Sequence, residues 1–476
     1  MNLNELLFAL SSVLFAYTLA FYTITCFQWF SYKIKRVLFH FTRPAWHVFF
    51  FIVPLVLYYT TSYWFFIYFY FAYLPSLFLW HKKLDKKLVF TARVKRYFLF
   101  LSLAILFGII FSFKISNILS LNVFVVIVVS LFVSHLYEKL NAIKFKLKAE
   151  KKLVNLNELK IVMITASFGK TSIKNFLYEL LKDEFNCHKT PRSVNTLVGL
   201  IKDINENINN QTQIYIAEAG ARLKGDIAEI TAFLRPHIAI VGEIGAQHLE
   251  YFKTIENIRA TKLEALSSDR LEMAFFHSTT LKEQGEKIQI YNTNLKNINA
   301  NLDGLSFELD GVSYHSPLLG KFNAENLAVC IKVAKLLGVS DESIKRSLAR
   351  LENVEHRLQK IEAMGKLIID DSFNGNFAGM SASYELVATY SGRKVLVTPG
   401  IVESVPSENE NLGKVINEIF DIVIITSSLN LEALLKFIKK PQVLILKDKT
   451  KMQEILALHT RSGDVVLFSN DAPSFM

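Results

Sequence analysis

The sequence predicts a membrane α-helical region of about five spans followed by two α/β domains. The first of these is a doubly wound central domain with a P-loop, and the second is smaller and Rossmann-like. Three observations carry this reading. Apolar residues make up 51% of the chain, yet the long apolar runs all fall before residue 138. The stretch ITASFGKTSIKN (164–175) sets a Gly-Lys-Thr turn between an apolar strand and a helical pattern. From about residue 366 a second series of short apolar strands begins. The expected boundaries are 1–150, 151–355 and 356–476.

Spans are expected at about 5–29, 45–61, 62–80, 97–114 and 118–137, because a helix needs ~20 apolar residues to cross the hydrocarbon core. Tyr58 to Tyr63 separates the second from the third only weakly. No basic segment precedes the first run, which argues against a cleaved signal peptide. Basic residues cluster after the first, third and fifth spans: Lys33, Lys35, Arg36 and Arg43; Lys82 to Arg96; Lys139 to Lys152. The positive-inside rule then puts the N-terminus outside and everything after about residue 138 in the cytoplasm. The expected location is the inner (cytoplasmic) membrane, multi-pass, with membrane lipid as a partner.

Residues 1–160 hold 19 Lys+Arg against 5 Asp+Glu, whereas the remainder holds 35 against 38. The basic excess therefore belongs to the N-terminal part, and nucleic acid is not an expected partner. Cys26, Cys187 and Cys330 have neither metal-ligand spacing nor a disulfide framework.

Past residue 155 the texture changes. LKIVMIT (159–165) reads as a buried strand, and Ile173, Phe176, Leu177, Leu180 and Leu181 follow at helical spacing. IYIAEAG (214–220) and HIAIVGEIG (237–245) are further apolar runs ending in small residues. KLIIDDS, RKVLVTPG, DIVIITSS, QVLILKD and GDVVLFSND form the second series. Strands alternating with helices argue for parallel sheets.

A helix N-terminus after a strand presents free N–H groups to phosphate. The loop Thr165, Ala166, Ser167, Phe168, Gly169, Lys170, Thr171, Ser172 is therefore the expected nucleotide-binding segment. Lys170 would reach the β/γ-phosphates and Thr171 would ligate Mg²⁺. Ala166 stands where the shorter form of the motif has glycine, and its Cβ is expected to weaken binding. Ligands bind at the carboxyl ends of strands in such sheets, and Glu218 and His248 follow two of them. Taken alone, Glu218 reads as a solvated acid and His248 as a surface histidine.

Together these residues resemble the Mur ligase family, ATP-dependent amide-forming ligases of peptidoglycan synthesis, over about residues 158–476. TASFGKT (165–171), TPRSVNTLVGL (190–200), AEAGARLKGDI (217–227), VGEIGAQHLEYF (241–252), IRATKLE (258–264), GKFNAEN (320–326), EHRLQK (355–360) and IDDSFNGNFAGM (369–380) are similar to its motifs and fall in its order. Departures stand at Ala166, Glu243, Phe322 and Phe373. The resemblance implies Lys170, Lys262, His248 and Arg357 as catalytic. It implies Asn323, Asn326, Arg357 and Asp371 at the nucleotide. It also implies Thr171, Glu218, His248 and carbamylated Lys262 as metal ligands, with Asn195, Asn374 and Asn376 at the substrate. Taken alone, Lys262 is an ordinary surface lysine, and Asn323 with Asn326 a helix cap.

The implied reaction uses ATP and Mg²⁺ to form an acyl phosphate, which an amine attacks. The expected substrates are UDP-N-acetylmuramoyl-tripeptide and D-alanyl-D-alanine, and a cell-wall synthesis complex is an expected partner. The family's N-terminal UDP-binding domain is replaced here by spans, so a lipid-linked muropeptide is the alternative substrate. A membrane scaffold with a decayed site is a rival reading that the four departures favour. A membrane ATPase or transporter is weaker still, because LIIDD (367–371) lies far from the loop and no Leu-Ser-Gly-Gly-Gln signature appears.

Overall fold

The computed structural model describes residues 3–471, apart from 31, 33, 39–44, 62, 85, 117–120, 246–248, 374, 403 and 447. The chain divides into two compact units, residues 1–147 and 148–476.

Among the described residues, three helices are long and apolar enough to cross a membrane: Glu5–Trp29, Ala92–Lys114 and Val123–Asn155. The second and third expected spans take a different form. Ala45–Thr60 is a shorter apolar helix, and Trp64–Tyr68, Phe69–Tyr73 and Leu74–Lys82 follow one another without a break. Both carry a π-helical stretch just ahead of a proline: Val48–Ile52 before Pro54, and Phe69–Tyr73 before Pro75. Proline has no N–H and its ring crowds the carbonyl four residues back, so the backbone widens there. Tyrosine and tryptophan also dilute the apolar character of 64–82. Length and hydropathy thus single out three helices where five spans are expected.

The aromatic rings build the interior of this unit. Phe15 meets the rings of Tyr58, Phe65, Phe69 and Tyr73 at centroid distances of 5.2, 4.7, 5.6 and 6.0 Å. Arg96 Nε and Nη2 both donate to Glu138 Oε1, at 2.9 and 2.6 Å, and so tie the last two long helices together.

The second unit is built on two parallel sheets. The first contains β1 (Lys160–Thr165), β2 (Cys187–Lys189), β3 (Ile214–Glu218), β4 (Ile238–Val241), β5 (Met273–Phe276) and β6 (Ile288–Ile290) in the order β2-β3-β1-β4-β5-β6. An antiparallel sheet follows: β7 (Leu295–Asn301), β8 (Gly304–Leu309) and β9 (Val312–Ser316). The last sheet has β10 (Gln359–Ala363), β11 (Lys366–Asp371), β12 (Lys394–Thr398), β13 (Ile422–Ile425), β14 (Gln442–Ile445) and β15 (Val465–Ser469). Their order is β10-β11-β15-β12-β13-β14, and only the edge strand β10 runs antiparallel.

The expected strands at 159–165, 214–220 and 237–245 are β1, β3 and β4. Each is buried on both faces, which is why each reads as a continuous apolar run. The helix Lys170–Leu181 buries Ile173, Phe176, Leu177, Leu180 and Leu181 in a core shared with Val162, Ile164, Leu327 and Ile331. Leu319, Leu358 and Phe322 reach into the core of the last sheet instead. The two parallel sheets are thus joined by packed side chains as well as by chain.

Candidate active site

The site starts where β1 ends. Gly169 has φ +78 and caps the helix Lys170–Leu181. Glycine is required there twice, because the conformation disfavours a side chain and an added Cβ would lie 2.6 Å from Asn326 Oδ1. Asn326 is in turn held by its Nδ2 donating to Asn323 Oδ1 at 3.0 Å, while Asn323 Nδ2 donates to the Leu319 carbonyl at 2.7 Å. Both lie in the first turn of the helix Asn323–Leu336, whose capping residue is Phe322 with no side-chain cap. Neither caps the helix: their bonds run within 319–326, and the Asn326 side chain faces Gly169.

The rest of the loop is fixed by main chain. Ser167 N donates to the Glu243 carbonyl at 2.8 Å, and Ser167 Oγ to the Gly245 carbonyl at 3.1 Å. The Phe168 ring lies where a Cβ on Gly245 would sit, 2.5 Å from it. Ala166 is fully buried, and a Cβ on Gly242 would lie 2.9 Å from its methyl. The extra methyl is therefore packed into space that Gly242 leaves open. Thr165 Oγ1 is buried with no partner among the described residues, and Ser172 is buried in the helix.

The functional side chains converge on Glu218 at the end of β3. Thr171 Oγ1 donates to its Oε2 at 3.1 Å. Asn195 Nδ2 donates to its Oε1 at 3.2 Å. Lys170 Nζ curls back over its own loop, 2.7 Å from the Ala166 carbonyl and 2.9 Å from that of Ser167. Desolvation lowers the Lys170 ammonium to about 8, with Glu218 opposing and Arg357 adding to the shift. Lys262 is 3% exposed, and desolvation followed by repulsion from Lys170 brings its ammonium down to about 7. Asp226 and Glu264 oppose that shift, but both accept from backbone N–H groups, at residues 222 and 223 and at 225 and 228. Desolvation also lowers Arg357, whose charge Glu218 and Asp371 favour. Lys170 thus senses the charges of Glu218 and Arg357, and Lys262 senses that of Lys170.

Thr171 and Glu218 place two oxygen atoms within hydrogen-bond distance, a donor set that suits a hard cation such as Mg²⁺. Among the described residues, no group of three or more His, Cys, Asp or Glu side chains gathers at metal-ligand spacing. His248 and Asn374, expected at the metal and the substrate, lie outside the described residues. Asn376 caps the helix Phe377–Ala388 by accepting from Gly379 N at 2.9 Å.

Asp371, expected at the nucleotide ribose, is buried at the end of β11. Its Oδ1 accepts from Leu358 N at 3.2 Å and its Oδ2 from Ser383 Oγ. Sequence reasoning also missed a cluster beside Asn323 and Asn326. His277 Nε2 lies 3.1 Å from Glu325 Oε2 and 3.0 Å from Asn292 Nδ2. Desolvation raises the nearby Glu243 carboxyl, His277 opposing and Glu325 adding. Glu243 and Glu325 fall within quoted motifs, but His277 and Asn292, which follow β5 and β6, fall on none, so only tertiary placement reveals the cluster.

Fold and site together define an α/β domain with its charged residues gathered at the carboxyl ends of a parallel sheet. Residues 164–334 match the model of the Mur ligase middle domain. Beyond it, the chain is 25% identical over 331 residues to UDP-N-acetylmuramoyl-tripeptide–D-alanyl-D-alanine ligase of Bacillus subtilis, covering 65% of this chain and 72% of that protein. It is 27% identical over 267 residues to the Escherichia coli protein of the same name, covering 51% of this chain and 58% of that protein. The chain therefore spans little more than half of the second relative's length. Among solved structures, the MurF ligase of Thermotoga maritima in complex with ADP aligns at a TM-score of 0.60 and 28% identity. That alignment covers 69% of this chain and 80% of the other.

Proposed function

We propose that this chain is an ATP-dependent peptide ligase of peptidoglycan precursor synthesis. It would add D-alanyl-D-alanine to UDP-N-acetylmuramoyl-tripeptide, the reaction named for its relatives. The observation that carries this reading is that Thr171 bonds Glu218 while Lys170 and Arg357 feel its charge, with Lys262 beside Lys170, at the ends of β1 and β3. The ADP-bound relative supports a nucleotide in the loop 165–172.

In this reading the substrate carboxylate takes the γ-phosphoryl group of ATP to form an acyl phosphate. The dipeptide amine then attacks the acyl carbon and phosphate leaves. Lys170 and Arg357 stabilise the negative charge that develops during transfer. Thr171, Glu218, His248 and Lys262 would hold magnesium, with Lys262 converted to a carbamate. Bound Mg²⁺ would neutralise phosphate charge. An amine that is neutral near pH 7 is the form that reacts with carbon dioxide, and the lowered Lys262 supports that conversion. Residues 151–355 form the ATP-binding domain and 356–476 the C-terminal domain.

The apolar helices of the first unit anchor the enzyme in the inner membrane, with the N-terminus outside and the ligase in the cytoplasm. The two proline-broken helices complete a five-span bundle in this reading. The same helices favour a second substrate, a lipid-linked muropeptide. The test is phosphate release by the full chain in detergent with ATP, Mg²⁺, the UDP-tripeptide and D-alanyl-D-alanine. Release that depends on both substrates supports the soluble-substrate reading. Release only with the lipid-linked muropeptide supports the second, and release with neither rejects the ligase.

A further inference from the structure

The helix after β1 carries a lysine that this scheme leaves unused. Lys174 lies one turn beyond Thr171, within the buried face of the helix, and its side chain is 1% exposed. Its Nζ donates to Glu218 Oε2 at 3.1 Å and to the Arg192 carbonyl. A buried ammonium is tolerated only where charge and hydrogen bonds compensate it, and here both come from the site itself.

The second contact matters more than the first. Arg192 has φ +47, a left-handed conformation that costs energy for a residue with a side chain. The Lys174 ammonium sits on the carbonyl of that residue. Three residues on, Asn195 returns to the same carboxylate through Nδ2, and its own carbonyl accepts from Gly220 N at 2.8 Å. Gly220 has no room for a side chain, since an added Cβ would lie 2.8 Å from Asn195 Cγ. The turn Arg192–Asn195 is thus closed onto Glu218 at both ends, by Lys174 at one and by Asn195 at the other.

We propose that Lys174 is a positioning residue for the muropeptide: it clamps the Arg192–Asn195 turn to Glu218, so that the substrate loop and the phosphoryl-transfer side of the site share one carboxylate. This rests on the ligase reading, in which Asn195 meets the substrate. Glu218 keeps its Thr171 and Asn195 bonds when Lys174 is lost, whereas the Arg192 carbonyl loses its donor, so the loss falls mainly on the substrate loop.

The test compares wild type with Lys174→Met, each as the full chain in detergent micelles. Backbone hydrogen exchange of residues 190–196 is measured, together with KM for the UDP-tripeptide and for ATP. Exchange of that segment is expected to speed up by about tenfold or more. KM for the UDP-tripeptide is expected to rise by about tenfold, with KM for ATP within about twofold. Unchanged exchange, or equal rises in both KM values, overturns the proposal. If the methionine variant does not fold, Lys174→Gln, which is uncharged and one bond too short to reproduce both contacts, carries the same expectations. Failure of both to fold makes Lys174 a stability element and also overturns it. A wild type that does not ligate rejects the ligase reading, while the exchange measurement still decides the clamp.

Discussion

Two turns present a cation to this site, and they are built in opposite ways. In the turn before Lys170, the left-handed position is a glycine, and the conformation is nearly free of cost. In the turn carrying Arg357, the left-handed positions are His356 and Leu358, at φ +62 and +55. Such residues cost on the order of 1–3 kcal/mol each and persist only when their surroundings hold them. Two neighbouring acids at the end of β11 do so. His356 Nδ1 lies 2.7 Å from Asp370 Oδ2, and Leu358 N donates to Asp371 Oδ1 at 3.2 Å. Phe373 N adds a bond to the His356 carbonyl at 3.1 Å. The first turn is encoded by its own residues and the second by its partners. Arg357 is therefore vulnerable to changes at Asp370 and Asp371 as well as at its own position.

The largest effect is expected at the first turn. Lys170→Ala removes the cation nearest the transferring group and should lower kcat/KM for ATP-dependent phosphate release by about 10³-fold. Next, Asp371→Ala frees the Leu358 amide and lets the Arg357 turn relax. Misplacement of a catalytic group by about 1 Å costs about 10²-fold, so kcat should fall by roughly that factor with Arg357 itself intact. A kcat within about twofold of wild type would break the comparison, because the strained turn would then hold without its acid.

Lys262 sharpens it further, as a third cation whose burial outweighs the compensation from Asp226 and Glu264. Its folded value of about 7 lies below the ordinary 10.5. Between those values the unfolded chain binds the extra proton, so this group makes the fold more stable as pH rises through that window. Carbamate formation needs the neutral amine. With ¹³C-bicarbonate, a carbamate carbon signal is expected above pH 7, fading by about tenfold per unit below it, and absent from Lys262→Ala.

How far the sequence reveals these features follows from the same contrast. Gly169, Lys170 and Thr171 are legible because local conformation and local chemistry coincide there. The strands β1, β3 and β4 are legible because burial on both faces leaves an unbroken apolar run. Lys174 is not, since one lysine among Ile173, Phe176 and Leu177 reads as the polar edge of an amphipathic helix until Glu218 is seen opposite it. Asp370 and Asp371 are visible as a motif, but their hold on residues 356 and 358 is tertiary. The edge strands β2 and β6 have three residues each, too few to show a period. The π-helical stretches before Pro54 and Pro75 are not legible in the apolar runs 45–61 and 62–80, which read as plain spans.

The smallest expected effect lies back in the first turn, at Ala166. A methyl in a phosphate-binding loop is expected from sequence to hinder the ligand, yet here it is buried against Gly242. Ala166→Gly should therefore change KM for ATP by less than about threefold and cost about 1 kcal/mol for the small space it leaves. Gly242→Ala is different, because its Cβ would lie 2.9 Å from the Ala166 methyl and 3.4 Å from Ile173 Cδ1. Overpacking of that kind costs about 1–3 kcal/mol. In the double variant the methyl moves from one side of the contact to the other, so the two losses should cancel in part. A coupling energy of about 1 kcal/mol or more in urea denaturation is expected. Strict additivity would mean that Ala166 is tolerated for some reason other than the space at Gly242, and the first turn would then depend on its partners as much as the second.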